Sequence, residues 1–281
     1  MTITRRDLGA VLAGLSAMTN GSGLAQQPSH TDAANRDTAG HKPTHDMHAM
    51  PQHWFGKEQI GLLIYPSFTA LDMVGPHYML TNLMGATNHI IAKTKDPVVS
   101  DTGLVFTPSI TFEECPKDLD VLFVPGGSSG TLAAIRDPDT VQFVSERGKR
   151  ARFITSVCTG SLILGAAGLL NGYRATSHWM TLSLLEQLGA TPESKRVVID
   201  RNRITGAGVT AGIDFGLFLV SQMRDQKYAE TVQLLAEYDP DPPFNSGNPK
   251  KASPDVKAIM DDMFVSFLAE AKQTLPTING K

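Results

Sequence analysis

Only two cysteines occur in the 281 residues, at positions 115 and 158, so no framework of disulfides holds this chain together. A cationic excess is also missing. Lysine and arginine number 25 against 28 acidic residues, a net charge of −3, and a nucleic acid partner is not expected. No apolar run reaches the length of a transmembrane helix. What the chain does have is 41% hydrophobic content, enough for one core of about 200–230 residues plus extensions.

Its first 25 residues read as an export signal rather than as fold. "TRRDLGAVLAGLSAM" joins two arginines to a short apolar stretch rich in small residues, and "GLA" at 23–25 offers a small-x-small cleavage site. Arg5 and Arg6 before Leu8 resemble a twin-arginine signal, which implies a periplasmic destination, with an ordinary secretory signal as the alternative. Residues 26–57 are polar and hold His30, His41, His45, His48 and His53. Such a composition buries too little apolar area to fold, so it reads as a flexible linker. "HDMHAM" within it offers imidazole and thioether to copper or zinc, but ordering a loose ligand set opposes binding, and no metal is expected.

From Gln59 onward short β-rich runs alternate with longer helical ones. "IGLLIY" (60–65), "HIIAK" (89–93), "VLFVP" (121–125), "FITSV" (153–157) and "RVVID" (196–200) read as buried strands. Helical patterns cover about 71–84, 139–150, 160–170, 180–188, 212–224, 227–238 and 254–273. "SDTGLVFTPSITFEEC" is less regular and fits a short hairpin or edge strands. The alternation predicts an α/β fold, a mostly parallel sheet with helices on both faces. The domain is expected at 58–248, followed by a helical extension at 249–281 whose Val256, Ile259, Met260, Met263, Phe264 and Phe267 form one apolar stripe for packing.

Ligands of parallel sheets sit beyond the carboxyl ends of the strands. Cys158 follows the strand 153–157 immediately and precedes a helix. A sharp turn there lifts the side chain out of the packed layer, and the helix amides favour thiolate, a strong nucleophile. The bland reading is a small buried residue in a tight strand–helix contact. Asp72 in "TALDMVGP" is either a cap for the first helix or a proton donor in the same rim. "VPGGSSG" (124–130) lets backbone approach a ligand closely, or simply turns; it lacks the end of a phosphate loop. His178 in "ATSHWM" either orients the cysteine or serves as a structural hydrogen-bond partner, the reading we favour. Cys115 in "FEECP" is expected to stay unpaired, because a catalytic thiol must be free.

The motifs "LDMVGP", "VPGG", "TSVCTGSLILGAAGLL", "RATSHW", "ITGAGVTAGIDF" and "EYDPDPPFNSG" together resemble the ThiJ/PfpI superfamily, of the class I glutamine-amidotransferase-like fold, and within it the isocyanide hydratase branch. The resemblance spans about Gln59 to Asn248 and implies a flavodoxin-like sandwich, mostly parallel, with helices on both faces. It implies that Cys158 is the reactive cysteine and Asp72 its acidic partner. Thr159 and Gly127 match positions whose amides face the cysteine, and Val209 and Ala207 fall in the segment packed against it, Ala207 where glycine is expected. The implied activity is lyase chemistry on a small molecule, hydration of an isocyanide to a formamide with no cofactor, in a homodimer. Thr159 stands where PfpI-type proteases carry histidine, which disfavours peptide hydrolysis. Glyoxalase- or deglycase-like work on α-oxoaldehydes, or cysteine redox sensing, are the alternatives.

Overall fold

Apolar β-rich segments build the centre of the molecule, which a computed structural model describes over residues 50–276. In chain order the strands are β1 (Gln59–Leu63), β2 (Thr87–Ala92), β3 (Val98–Val99), β4 (Val105–Phe106), β5 (Ile110–Thr111), β6 (Val121–Val124), β7 (Phe153–Val157), β8 (Arg174–Ala175), β9 (Thr191–Pro192), β10 (Val197–Asp200) and β11 (Arg203–Gly206). The α-helices are α1 (Ala70–Thr81), α2 (Ser129–Arg136), α3 (Pro138–Arg150), α4 (Gly160–Ala166), α5 (Ala211–Met223), α6 (Gln226–Leu235) and α7 (Pro254–Thr274). Seven strands form the main sheet in the order β10-β11-β7-β6-β1-β2-β5. Every pairing is parallel except that of β10 with β11.

All four residues of β6 are buried, as are the last four of β1 and of β7. Burial on both faces is why these strands read as continuous apolar runs rather than as alternations. The helices form two packed groups, α1 with α5 and α6, and α2 with α3, α4 and α7. The flavodoxin-like sandwich, mostly parallel with helices around it, is the fold observed.

Several elements depart from the sequence reading. Strand β11 was missed, although it lies between β7 and the antiparallel edge strand β10. Its "RITG" is short and polar at one end, and Arg201 at φ 55° makes the tight turn that returns the chain. Helix α2 was also missed, because "SSGTLAAIR" opens with turn-forming residues. The helical pattern at 180–188 is a 3-10 helix over Leu182–Leu188, and α4 stops at Ala166, just before Gly168 at φ 76°. The irregular stretch holds both alternatives at once, the β3–β4 hairpin and the edge strand β5.

The polar segment was read as a linker through Lys57, yet the chain is already packed at Trp54. Its indole donates to Asp225 Oδ2 at 2.8 Å and meets Tyr228 edge-on with ring centroids 5.0 Å apart. Residues 26–49 of that segment, including the histidine-rich "HDMHA", and the export signal before them lie outside the described residues. At the other end, only Ala271 of α7 is fully buried. The apolar stripe of this helix divides: Phe264 and Phe267 pack inward, whereas Ile259 and Met263 are more than half exposed. Among the described residues no helix is long and apolar enough to cross a membrane.

Candidate active site

Register brings the site together. Gly206 pairs with Val157, so the end of β11 lies beside the turn that follows β7. Cys158 occupies that turn at φ 57°, a left-handed conformation that side-chain-bearing residues rarely adopt. Its backbone is held from four directions. The N–H donates to Gly206 O at 3.1 Å and Ala207 O at 2.8 Å, and the carbonyl accepts Ser161 Oγ at 3.2 Å and Ser177 Oγ at 3.1 Å. The strain at one residue persists because its neighbours fix it so completely.

Asp72 arrives from the first turn of α1 with no exposed surface. Its Oδ2 accepts the Gly126 N–H at 2.9 Å, and the carboxyl lies close enough to the Cys158 side chain for each to shift the other's proton affinity. Its Oδ1 is buried with no partner among the described residues, free to meet a small ligand. A Cβ on Gly126 would lie 2.6 Å from Thr159 N and 2.9 Å from Asp72 Oδ2, so only glycine lets the β6–α2 loop enter between acid and nucleophile. Gly127 is similarly confined, since its Cβ would lie 2.7 Å from Phe68 Cα.

Burial pushes the Asp72 carboxyl up to about 7, against the downward pull of the Gly126 amide and the Cys158 side chain; nearby Asp101 adds to the rise. Burial also pushes the Cys158 thiol well up, and the charge of Asp72 adds to it. The Thr159 amide and hydroxyl pull the other way without offsetting this. The sequence expectation of a thiolate favoured by the helix start is corrected in direction. The helix start acts in the anticipated direction, but desolvation and the adjacent carboxyl outweigh it. Sulfur and carboxyl thus face each other in a closed site, and each shifts the other's proton affinity.

Thr159, Cys158 and Asp72 are thus brought together. The Gly127 amide was expected to face the cysteine; instead it donates to Thr159 Oγ1 at 3.0 Å, because that hydroxyl lies directly in its path. The Thr159 hydroxyl also meets Thr131 Oγ1 at 2.8 Å, and Thr131 meets the Tyr65 hydroxyl at 3.2 Å. Tyr65 in turn donates to Pro125 O at 2.7 Å. This buried chain escaped the sequence reading; a threonine on the inner face of an apolar helix was its one visible trace.

Ala207 contributes its carbonyl to the Cys158 N–H, and Val209 sits half-buried in the turn between β11 and α5. The ring of His178 stacks on Phe264 with centroids 5.9 Å apart, its Nδ1 accepts the Met180 N–H at 3.4 Å, and burial lowers its pKa. No hydrogen bond joins it to Cys158 among the described residues, in keeping with the structural reading. Both cysteines are free and buried.

Residues 58–222 match the DJ-1/PfpI family. The isonitrile hydratase of Pseudomonas putida is 48% identical over 204 residues, covering 73% of this chain and 87% of that protein. The transcriptional regulator GbdR of Pseudomonas aeruginosa is 28% identical over 190 residues, 65% of this chain but only 51% of the regulator. The crystal structure of a ThiJ/PfpI family protein from Pseudomonas syringae superposes with a TM-score of 0.79 at 55% identity, covering 81% of this chain and 98% of that one. On sequence, fold and the residues gathered at its strand ends, this chain belongs to the DJ-1/PfpI family.

Proposed function

We propose that the protein hydrates isocyanides, R–NC, to N-substituted formamides through a thioimidate on Cys158. The observation that carries this reading is the buried Cys158–Asp72 pair. It is supported by the 48% identity to an isonitrile hydratase. An isocyanide carbon accepts a nucleophile and a proton at the same atom. The pair supplies both: Sγ bonds to the carbon while the Asp72 carboxyl protonates it, giving R–N=CH–S–Cys. Water then adds across the C=N bond, its oxygen going to carbon and a proton to nitrogen. The C–S bond breaks, R–NH–CHO leaves, and the proton from the new hydroxyl returns to the pair. Carboxyl and thiol thus perform acid and nucleophilic catalysis with protein groups alone. Thr159, through its amide, steadies charge on sulfur.

The reading extends to assembly and location. Leu71, Val74 and Tyr78 leave an apolar stripe exposed on α1, and Val99, Leu104 and Val105 are exposed on the neighbouring β3–β4 hairpin. A second copy of the chain covers this surface in our reading, closing a homodimer beside the site. The N-terminal 25 residues act as a twin-arginine export signal. Fractionation is expected to recover the protein from the periplasm, and replacing Arg5 and Arg6 together by lysine to abolish that.

Purified mature protein offered an alkyl isocyanide and, separately, methylglyoxal tests the chemistry, with formation of the formamide followed by NMR. Wild type is expected to turn over the isocyanide, Cys158→Ala to be inert, and Asp72→Asn to lose about 100-fold or more. Undiminished turnover in Cys158→Ala removes the mechanism. Consumption of methylglyoxal alone transfers the same pair to α-oxoaldehyde chemistry.

A further inference from the structure

The first turn of α1 carries the acid, yet its own cap residue does not hold it: Thr69 makes no side-chain capping bond. The cap comes from elsewhere. Asp101, at the tip of the β3–β4 hairpin, accepts the Thr69 hydroxyl on Oδ2 at 2.7 Å and faces the Ala70 N–H with Oδ1 at 3.4 Å. Its own N–H donates to Phe68 O at 2.9 Å. Thr69 N–H donates in turn to Gly126 O at 2.8 Å, and Gly126 N–H is the group that grips Asp72. One hairpin side chain thereby fastens the helix start and the loop that together aim the acid.

We propose that Asp101 is a positioning residue of the active site: from the β3–β4 hairpin it caps α1 and holds the Asp72 carboxyl in register with Cys158. The proposal rests on the hydratase reading for its catalytic meaning. The Asp101 side chain also faces Asp72, which is fully buried, and its charge raises the proton affinity of that carboxyl. The titratable groups facing Asp72 are Cys158 from the β7–α4 turn and Asp101 from the hairpin. Tyr65 from the end of β1 is buried and held neutral. The remaining polar contact to the Asp72 carboxyl, the Gly126 amide, lowers its proton affinity. Besides burial, Asp101 is the neighbour whose charge favours protonation of Asp72.

The sign of the effect follows. Removing a negative charge lets the Cys158–Asp72 pair give up both of its protons more readily, so each limb of its titration moves to lower pH. For a charge several ångströms away at the protein surface the shift is about half a pH unit. Asp101→Asn retains an acceptor oxygen for the cap but not the charge, whereas Asp101→Ala loses both.

The test compares wild type, Asp101→Asn and Asp101→Ala in two profiles against pH: hydration of an alkyl isocyanide, and alkylation of Cys158 by iodoacetamide, which needs no substrate. Asp101→Asn is expected to move the basic limb of turnover and the onset of alkylation downward by about half a unit, a roughly threefold loss of turnover on the basic limb, with the plateau kept. Asp101→Ala is expected to show the same shift and a plateau lowered about tenfold, with Tm within a few degrees of wild type. Unshifted profiles in Asp101→Asn overturn the proposal, as does a plateau loss in Asp101→Ala matched by a fall in native content. Should wild type fail to hydrate isocyanides, the hydratase reading falls, and the alkylation profile alone still decides the role of Asp101.

Discussion

Cys158 sits at φ 57°, where a Cβ crowds the adjacent peptide by about 1–2 kcal/mol, a penalty glycine does not incur. The usual order of alanine over glycine should therefore invert at this position. Urea unfolding is expected to find Cys158→Gly more stable than Cys158→Ala by about 1 kcal/mol; the reverse order would mean that the turn relaxes once the sulfur is gone. Asp72 makes a second residue-level statement. Its carboxyl, pushed by burial from the ordinary carboxylate range up to about 7, binds its proton more tightly in the folded protein than in the unfolded chain. Its contribution is complete below the unfolded value and is lost as pH rises through the folded one. Asp72→Asn keeps an acceptor for the Gly126 amide and cannot ionise. It is expected to unfold with a flatter pH dependence between about 4 and 7, and above that to exceed wild type by on the order of 2–4 kcal/mol.

Among elements, the approach to β1 shows how a polar segment becomes part of a fold. Arg224, at the end of α5, has 1% of its side chain exposed and grips Glu58 through Nη1 at 2.6 Å and Nη2 at 2.9 Å. The same guanidinium donates to the carbonyls of Trp54 and Met84. Truncating one partner of such a pair leaves a buried charge and several carbonyls unmatched. Arg224→Ala is expected to cost about 3–5 kcal/mol in denaturant unfolding, with turnover per folded molecule unchanged. A loss below about 1 kcal/mol would show that water readily replaces the guanidinium. Strand β11 supplies the complementary lesson. It is short and invisible to periodicity, yet the carbonyl of its last residue, Gly206, and that of Ala207 just beyond it hold the nucleophile's N–H. Its place was decided by pairing with β7, and pairing is written in no local pattern.

On the scale of the whole molecule, Leu71, Val74, Tyr78, Val99, Leu104 and Val105 gather as one exposed apolar group where α1 meets the β3–β4 hairpin. Val105 is 64% exposed, so a charge there leaves the fold of one chain almost untouched but opposes a second chain. Val105→Glu is expected to shift the species seen by light-scattering chromatography from dimer toward monomer, with Tm little changed at low concentration. An unaltered mass would move the interface elsewhere. The hairpin also carries Asp101, so the surface proposed for assembly and the residue proposed to aim the acid belong to one small unit.

The sequence by itself determined the sheet-and-helix alternation, the cysteine at the end of β7 and the aspartate at the start of α1. Buried parallel strands must be apolar throughout, and a turn between strand and helix must interrupt that pattern. Tertiary structure alone decided what those two residues are chemically. Proton affinity depends on how much water is excluded and on which groups face each atom, and both are set by residues distant in the chain: Gly126, Thr159, Ala207 and Asp101. Read locally, the helix start at Cys158 pointed to a ready thiolate. Folding buried the sulfur against a carboxyl, and desolvation in so closed a site outweighs the pull of a few amides on the proton affinity of both.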